Sequence, residues 1–291
     1  AATTVAHQRW TAVLRLPLLA GVPLLAVVGA KPWAPNPAVG SNQAAYLLGL
    51  LLLPAVVWLW QRQQRWWQRL TALAAVLLSF GLLWQTGSRA ALISAGVALA
   101  VVWLRERARR GRWWPDLVRL LLLGGGMYLL RWLVFSTNSS LPGLKSGSDL
   151  GRLLTAECFG GLPFTGNNRL LYGVGFERLQ EFCQVPFQGL TLQHAHNLYL
   201  QIWAASGLLG MLALGLVLVL LIRTWLTVEL SMPLMLRCSG QAALIYCILQ
   251  GCFDLSVVHW PITLAFSALL MGMPLAFLPA STTSAQGADR R

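Results

Sequence analysis

The feature that most constrains this chain is its division into eight apolar runs, each close to the roughly 20 residues a helix needs to cross the hydrocarbon of a bilayer. They cover about 12–30, 44–60, 70–86, 89–104, 117–135, 197–222, 239–256 and 261–279. In lipid a backbone must satisfy its own hydrogen bonds, so runs of this length have to be helical. The expected fold is therefore an all-α polytopic membrane protein of about eight transmembrane helices, with one long outer, periplasmic loop (136–196) that carries short helices. Composition agrees: 56% hydrophobic and 11% charged residues over 291 positions are too apolar for a soluble domain. The formal net charge of +13 would suit a nucleic-acid partner. The arginines, however, fall in short clusters between apolar runs, which is the pattern of cytoplasmic membrane loops. The expected partner is the lipid bilayer, and no nucleic acid.

Loop charge sets the orientation. Arg62, Arg65 and Arg69 occupy one connection, and Arg105, Arg107, Arg109, Arg110, Arg112 and Arg119 the connection after the next turn. Both are read as cytoplasmic. Alternation then puts both termini inside and leaves 31–43, 86–88, 136–196 and 257–260 outside. Three segments follow: N-terminal transmembrane helices (1–84), a core with the outer loop (85–225), and C-terminal helices with a disordered tail (226–291).

Within the outer loop, Ser148-Asp149 can cap a helix through about Phe159, and Phe176 to Phe182 can form another behind the turn Tyr172-Gly173-Val174-Gly175. Apolar residues such as Leu153, Phe164, Leu171 and Phe176 argue for order against the membrane. Cys158 and Cys183 lie on the oxidising side, where a disulfide is expected; two separate buried thiols are the alternative. Cys238, Cys247 and Cys252 are read as packing residues.

Candidate chemistry gathers where this loop meets the sixth run, at His194-Ala195-His196-Asn197. An imidazole titrates near 6.5 unperturbed, so His196 can take a proton from an attacking hydroxyl. Asn197 is a natural N-cap, and Gly207 and Gly210 let a neighbouring helix approach. Arg89, after Gly87-Ser88, adds a guanidinium to the positive end of the fourth run and makes an anion site. Arg152, Arg169 and Arg178 add positive charge on a side that is ordinarily poor in arginine, which favours an anionic ligand such as phosphate. Asp254 can orient a histidine or pair with an arginine. Each has a plainer reading: surface histidines beside a cap, snorkelling for Arg89, solvated loop arginines, a helix-end role for Arg131 and an interface marker in His259. His194 and His196 lack a third nearby ligand for zinc. There is no Asp-x-Asp pair, P-loop or Gly-x-Ser-x-Gly elbow, so nucleotide-sugar and ATP-driven reactions are not expected.

His196-Asn197, a nine-residue gap, then Gly207-x-x-Gly210 resembles the motif of the O-antigen ligase family, which includes O-antigen polymerases and O-linked oligosaccharyltransferases. Gly87-Ser88-Arg89-Ala90-Ala91 is similar to the family's Ser-Arg helix start. Gly151-Arg152 and Leu171-Tyr172-Gly173-Val174-Gly175-Phe176 are similar to its outer loop. The likeness covers about 85–225. Family members commonly have more spans than the eight marked here, and part of the N-terminal helices is expected to lie outside this sequence. The resemblance implies a metal-independent glycosyltransferase without a cofactor, in the bacterial inner membrane. Its donor would be an undecaprenyl-pyrophosphate-linked glycan, and its acceptor a glycolipid, glycan or protein hydroxyl. Arg89 and Arg152 would neutralise the leaving pyrophosphate while His196 acts as base in an inverting displacement. The rival class is inorganic-carbon transport, with outer arginines collecting bicarbonate.

Overall fold

A computed structural model describes residues 41–61, 65–109, 147–187, 190–227, 232–254 and 261–272, with a few positions between 111 and 118. The expected span at 12–30, all of that at 117–135 beyond residue 118, Arg131 and His259 lie outside the described residues. Helices α1 (Ser41–Trp60), α2 (Trp66–Gln85) and α3 (Arg89–Ala108) are followed by the loop helices α4 (Gly147–Gly161), α5 (Arg169–Tyr172) and α6 (Leu179–Phe182). Then come a hairpin of β1 (Val185–Phe187) and β2 (Leu190–Leu192), and helices α7 (Leu198–Thr227), α8 (Leu234–Gly251) and α9 (Pro261–Gly272). Segments Asn42–Trp60, Trp66–Gln85 and Leu198–Leu226 are long and apolar enough to cross a membrane, and Thr263–Gly272 is a shorter apolar helix. Helices α3 and α8 are long but carry charge near their ends, at Arg89, Arg105, Glu106 and Arg107 in one and Arg237 in the other.

Lipid tails are as apolar as leucine, so packing and hydrogen bonds rather than hydrophobic burial hold helices together in a bilayer. The sequence meets that need with stripes of small residues. Helix α2 buries only Ala72, Ala75, Ser79 and Leu83, spaced for one helical face, and leaves Trp66, Leu70, Leu77, Phe80 and Trp84 exposed. Helix α3 buries Ala91, Ser94, Ala95, Ala98 and Val102. Helix α8 packs against both α1 and α3, and thirteen of its eighteen residues are buried. Gly49 of α1 packs directly beneath the Tyr246 ring, where a Cβ would overlap it. The Tyr46 hydroxyl meets Cys247 Sγ at 2.9 Å and Ser267 Oγ at 2.8 Å, while Tyr246 donates to the Tyr46 carbonyl at 3.2 Å, joining α1, α8 and α9. Hydrogen bonds of this kind between membrane helices are worth about 0.6 kcal/mol on average.

These contacts fix the helix directions. Arg237 near the start of α8 pairs with Glu106 near the end of α3 at 2.7 Å, so the two helices, packed side by side, run antiparallel. Trp60 at the end of α1 meets Trp103 near the end of α3, with ring centroids 4.8 Å apart. Trp225 near the end of α7 donates to the Met271 carbonyl of α9 at 3.1 Å. One end of the bundle therefore gathers Arg65, Arg69, Arg105, Arg107, Arg109, Arg223 and Arg237. The other holds the Thr86–Ser88 turn, the start of α7 and the end of α8.

The loop differs in detail from expectation. Its first helix begins at Gly147 and runs to Gly161, but the second is confined to Leu179–Phe182 behind a turn at 176–178, and α5 was not expected. The antiparallel β1–β2 hairpin, with Val185 opposite Leu192, is likewise an addition to an all-α expectation. Its signal was present in the two β-prone triplets, Val-Pro-Phe and Leu-Thr-Leu, set only two residues apart with a Gly before the second. Phe159, Leu162, Leu179, Cys183, Ala195, Ala204 and Ala205 form a second small core between this loop and the first turns of α7.

Candidate functional site

Asn197 caps α7. Its Oδ1 accepts from the Leu200 N–H at 3.0 Å, satisfying one of the helix's unpaired donors, and its Nδ2 donates to the Cys252 carbonyl just past α8 at 2.9 Å. Tyr199 donates to the Ile248 carbonyl at 2.7 Å, a second tie between the same elements. The Ala195 N–H donates to the buried Gln201 Oε1 at 3.0 Å, which pins the residue between the two histidines onto the helix. His196 itself has φ 49°, a left-handed backbone that costs roughly 1 kcal/mol or more outside glycine and is found where surroundings over-determine it. Gln201 and Tyr199 were not singled out from the sequence. Their signal is polar atoms in the first turn of an otherwise apolar run.

Among the described residues, the charges that act on His196 are those of Arg152 on α4 and Asp254 beyond α8. Burial is the largest influence on this half-buried ring and pushes its pKa below the usual histidine value; Arg152 pushes the same way and Asp254 opposes both. The imidazole is thereby favoured in its neutral, proton-accepting form. Asp254 is itself buried, its N–H donating to the Gln250 carbonyl at 3.0 Å. His194 is half-buried two residues earlier in the chain.

Arg89 begins α3 behind the N-cap Ser88, whose Oγ accepts from the Ala91 N–H at 3.4 Å. Because α3 and α8 are antiparallel, Arg89 lies at the end of the bundle where Cys252 meets Asn197. The N-termini of α3 and α7 thus share one side with His196, Arg152 and Asp254. Arg169 is engaged elsewhere: it donates to Thr165 Oγ1 at 2.9 Å and its guanidinium lies 4.5 Å from the centre of the Phe182 ring. Arg178 pairs with Glu181 at 3.2 Å in an exposed position. Among the described residues, no group of three His, Cys, Asp or Glu is arranged to hold a metal ion.

Gly207 admits the close helix approach expected of it, and the neighbour is the short loop helix α5. Gly207 has φ 58° and ψ −151°, a break inside α7, and what comes close is α5, the one-turn helix of the outer loop. A Cβ there would stand 2.6 Å from the Leu170 carbonyl oxygen, and one on Gly173 would overlap the Ala205 carbonyl. Across this contact the Val174 N–H donates to the Ala204 carbonyl at 3.0 Å and the Gly175 N–H to that of Ala205 at 2.8 Å. Trp203 donates to the Gly160 carbonyl at 3.1 Å, and Cys158 is bonded to Cys183 with Cα atoms 6.0 Å apart. Together these ties hold α4, and Arg152 on it, against the helix that His196 precedes.

Residues 73–215 match the family model described as O-antigen ligase. No match was found among curated proteins.

Proposed function

We propose, from the premise that this chain carries a domain of the O-antigen ligase family, that it is a membrane glycosyltransferase moving a glycan from an undecaprenyl-pyrophosphate carrier to an acceptor hydroxyl. The observation that supports it most is a neutral-favoured imidazole, flanked by an arginine and a carboxylate, at the end of the bundle that also carries Arg89. His196 accepts the hydroxyl proton as the acceptor oxygen bonds to the anomeric carbon; the bond from that carbon to the pyrophosphate oxygen breaks with inversion. Arg152, Arg89 and the two helix N-termini take up the negative charge of the leaving group, and Asp254 steadies the imidazolium that forms. The arginine-rich opposite end faces the cytoplasm by the positive-inside rule, so the transfer occurs at the outer face of the bacterial inner membrane.

The test is transfer in proteoliposomes from purified undecaprenyl-pyrophosphate oligosaccharide to a lipid A core acceptor, with a repeat unit and an acceptor protein in parallel. His196→Ala abolishes transfer on this reading, and Arg89→Ala weakens donor use. Undiminished turnover by His196→Ala removes the histidine from the mechanism. The family match lends no support to the inorganic-carbon alternative; labelled bicarbonate uptake that follows this protein while surface polysaccharide does not would revive it.

A further inference from the structure

The turn that docks on Gly207 sits at an unusual depth. Arg223 is exposed on α7 and marks the arginine-rich edge of the membrane-crossing part. Gly207 is sixteen residues away, about 24 Å at 1.5 Å per residue, within the roughly 30 Å that hydrocarbon spans. Leu170 and Leu171, whose backbone lies against Gly207, are therefore level with the outer part of the lipid tails rather than above them. Their side chains are exposed, as are those of Tyr172, Phe164 and Phe176, and the patch continues into exposed Leu208, Leu209 and Leu212 of α7.

The backbone here is also made ready for lipid. The N–H groups of Leu171 and Tyr172 donate to the Asn168 carbonyl, that of Gly173 to Arg169, and those of Val174 and Gly175 to the carbonyls of α7. Irregular chain at membrane depth is tolerated only when its polar groups are satisfied by protein in this way. Charge returns immediately afterwards, with exposed Glu177, Arg178 and Glu181, while Arg169 folds back onto Thr165 and Phe182.

We propose that residues 170–176, with Phe164 beside them, form a re-entrant wedge immersed in the outer leaflet, with phospholipid acyl chains as the partner of the Phe164, Leu170, Leu171, Tyr172 and Phe176 surface; the exposed polar run Thr165–Asn168 is not part of that surface. This stands independently of the transfer reaction. The occupant is lipid because the patch is continuous with the lipid-facing side of a membrane-crossing helix and ends at a row of charges.

Spin labels placed by Phe164→Cys, Tyr172→Cys and Phe176→Cys in a Cys252→Ser background, in lipid nanodiscs, would be read by power saturation with oxygen and with a nickel chelate. The first three are expected to be relaxed preferentially by oxygen, and Glu177→Cys and Glu181→Cys by nickel. Nickel access equal to that of Glu181→Cys at all three sites would overturn the proposal, leaving the loop in water. Exclusion of both reagents would also overturn it, because a protein then covers the face. Photolabelling of the unsubstituted chain by a bilayer-partitioned diazirine gives an independent reading: labelled peptides should include 170–176, and their absence would count against the wedge.

Discussion

Replacing Gly207 by alanine puts a methyl group where backbone already stands. The new Cβ would lie 2.6 Å from the Leu170 carbonyl oxygen and 2.7 Å from the carbonyl carbon and oxygen of Leu171. None of these is the far end of a flexible side chain, so the loop itself must move. The positive φ of 58° with ψ −151° adds a conformational cost of about 1–3 kcal/mol, and overpacking against a rigid wall typically costs about another 1–3 kcal/mol. Relief by undocking forfeits the two hydrogen bonds from Val174 and Gly175, worth about 1 kcal/mol each. Gly207→Ala is therefore expected to destabilise the loop by about 2–5 kcal/mol. The assay is thermal unfolding in detergent together with limited proteolysis across 160–185. Gly215→Ala is the control, because a Cβ there meets nothing within 4 Å. A midpoint lower by on the order of 5 °C or more, with faster loop cleavage, is expected for Gly207→Ala and not for Gly215→Ala. Identical behaviour of the two variants would refute the claim that the break in α7 exists to receive the loop.

The site makes further predictions. Since neutral His196 is the proton acceptor, transfer falls as pH drops through its depressed folded pKa. Asp254→Asn removes the group that raises that value and moves the acid limb to lower pH, whereas Arg152→Gln moves it higher; superimposable normalised pH profiles would disprove the coupling. Cys158→Ser opens a loop closed over a sequence separation of 25, costing about 3 kcal/mol by chain entropy, visible as loop proteolysis that reductant reproduces in the parent protein. Asn197→Ala should cost about 1 kcal/mol for the lost cap and more for the lost Cys252 contact. Asn197→Asp keeps the cap acceptor and loses only the donor, so unfolding midpoints ranked parent, Asp, Ala are expected.

Much of the site could be read from short stretches of sequence, because capping and titration are local properties. Asn197 before an apolar run, Ser88 before Arg89 and a titratable ring at His196 need only their neighbours to be recognised. Gly207 shows where such reading stops. Its spacing to Gly210 announces a close helix contact, but that the neighbour is α5, more than thirty residues earlier in the chain, and that α7 breaks there, depends on the tertiary fold. Arg169 and Arg178 carried the same promise as Arg152 in sequence; the Phe182 ring, Thr165 and Glu181 engage the first two.

The sequence by itself determined that the chain is helical and membrane-bound, since apolar length and backbone hydrogen bonding in lipid leave little choice. It also determined the polarity of charge between the two ends, because arginines between runs are countable without a structure. Only the tertiary structure decided which charges face His196, that the Arg89 end of α3 meets the Cys252 end of α8, and that the loop seats on broken helix rather than standing apart. Those facts depend on antiparallel packing and on contacts between residues tens to more than a hundred positions apart, which neither composition nor local periodicity encodes.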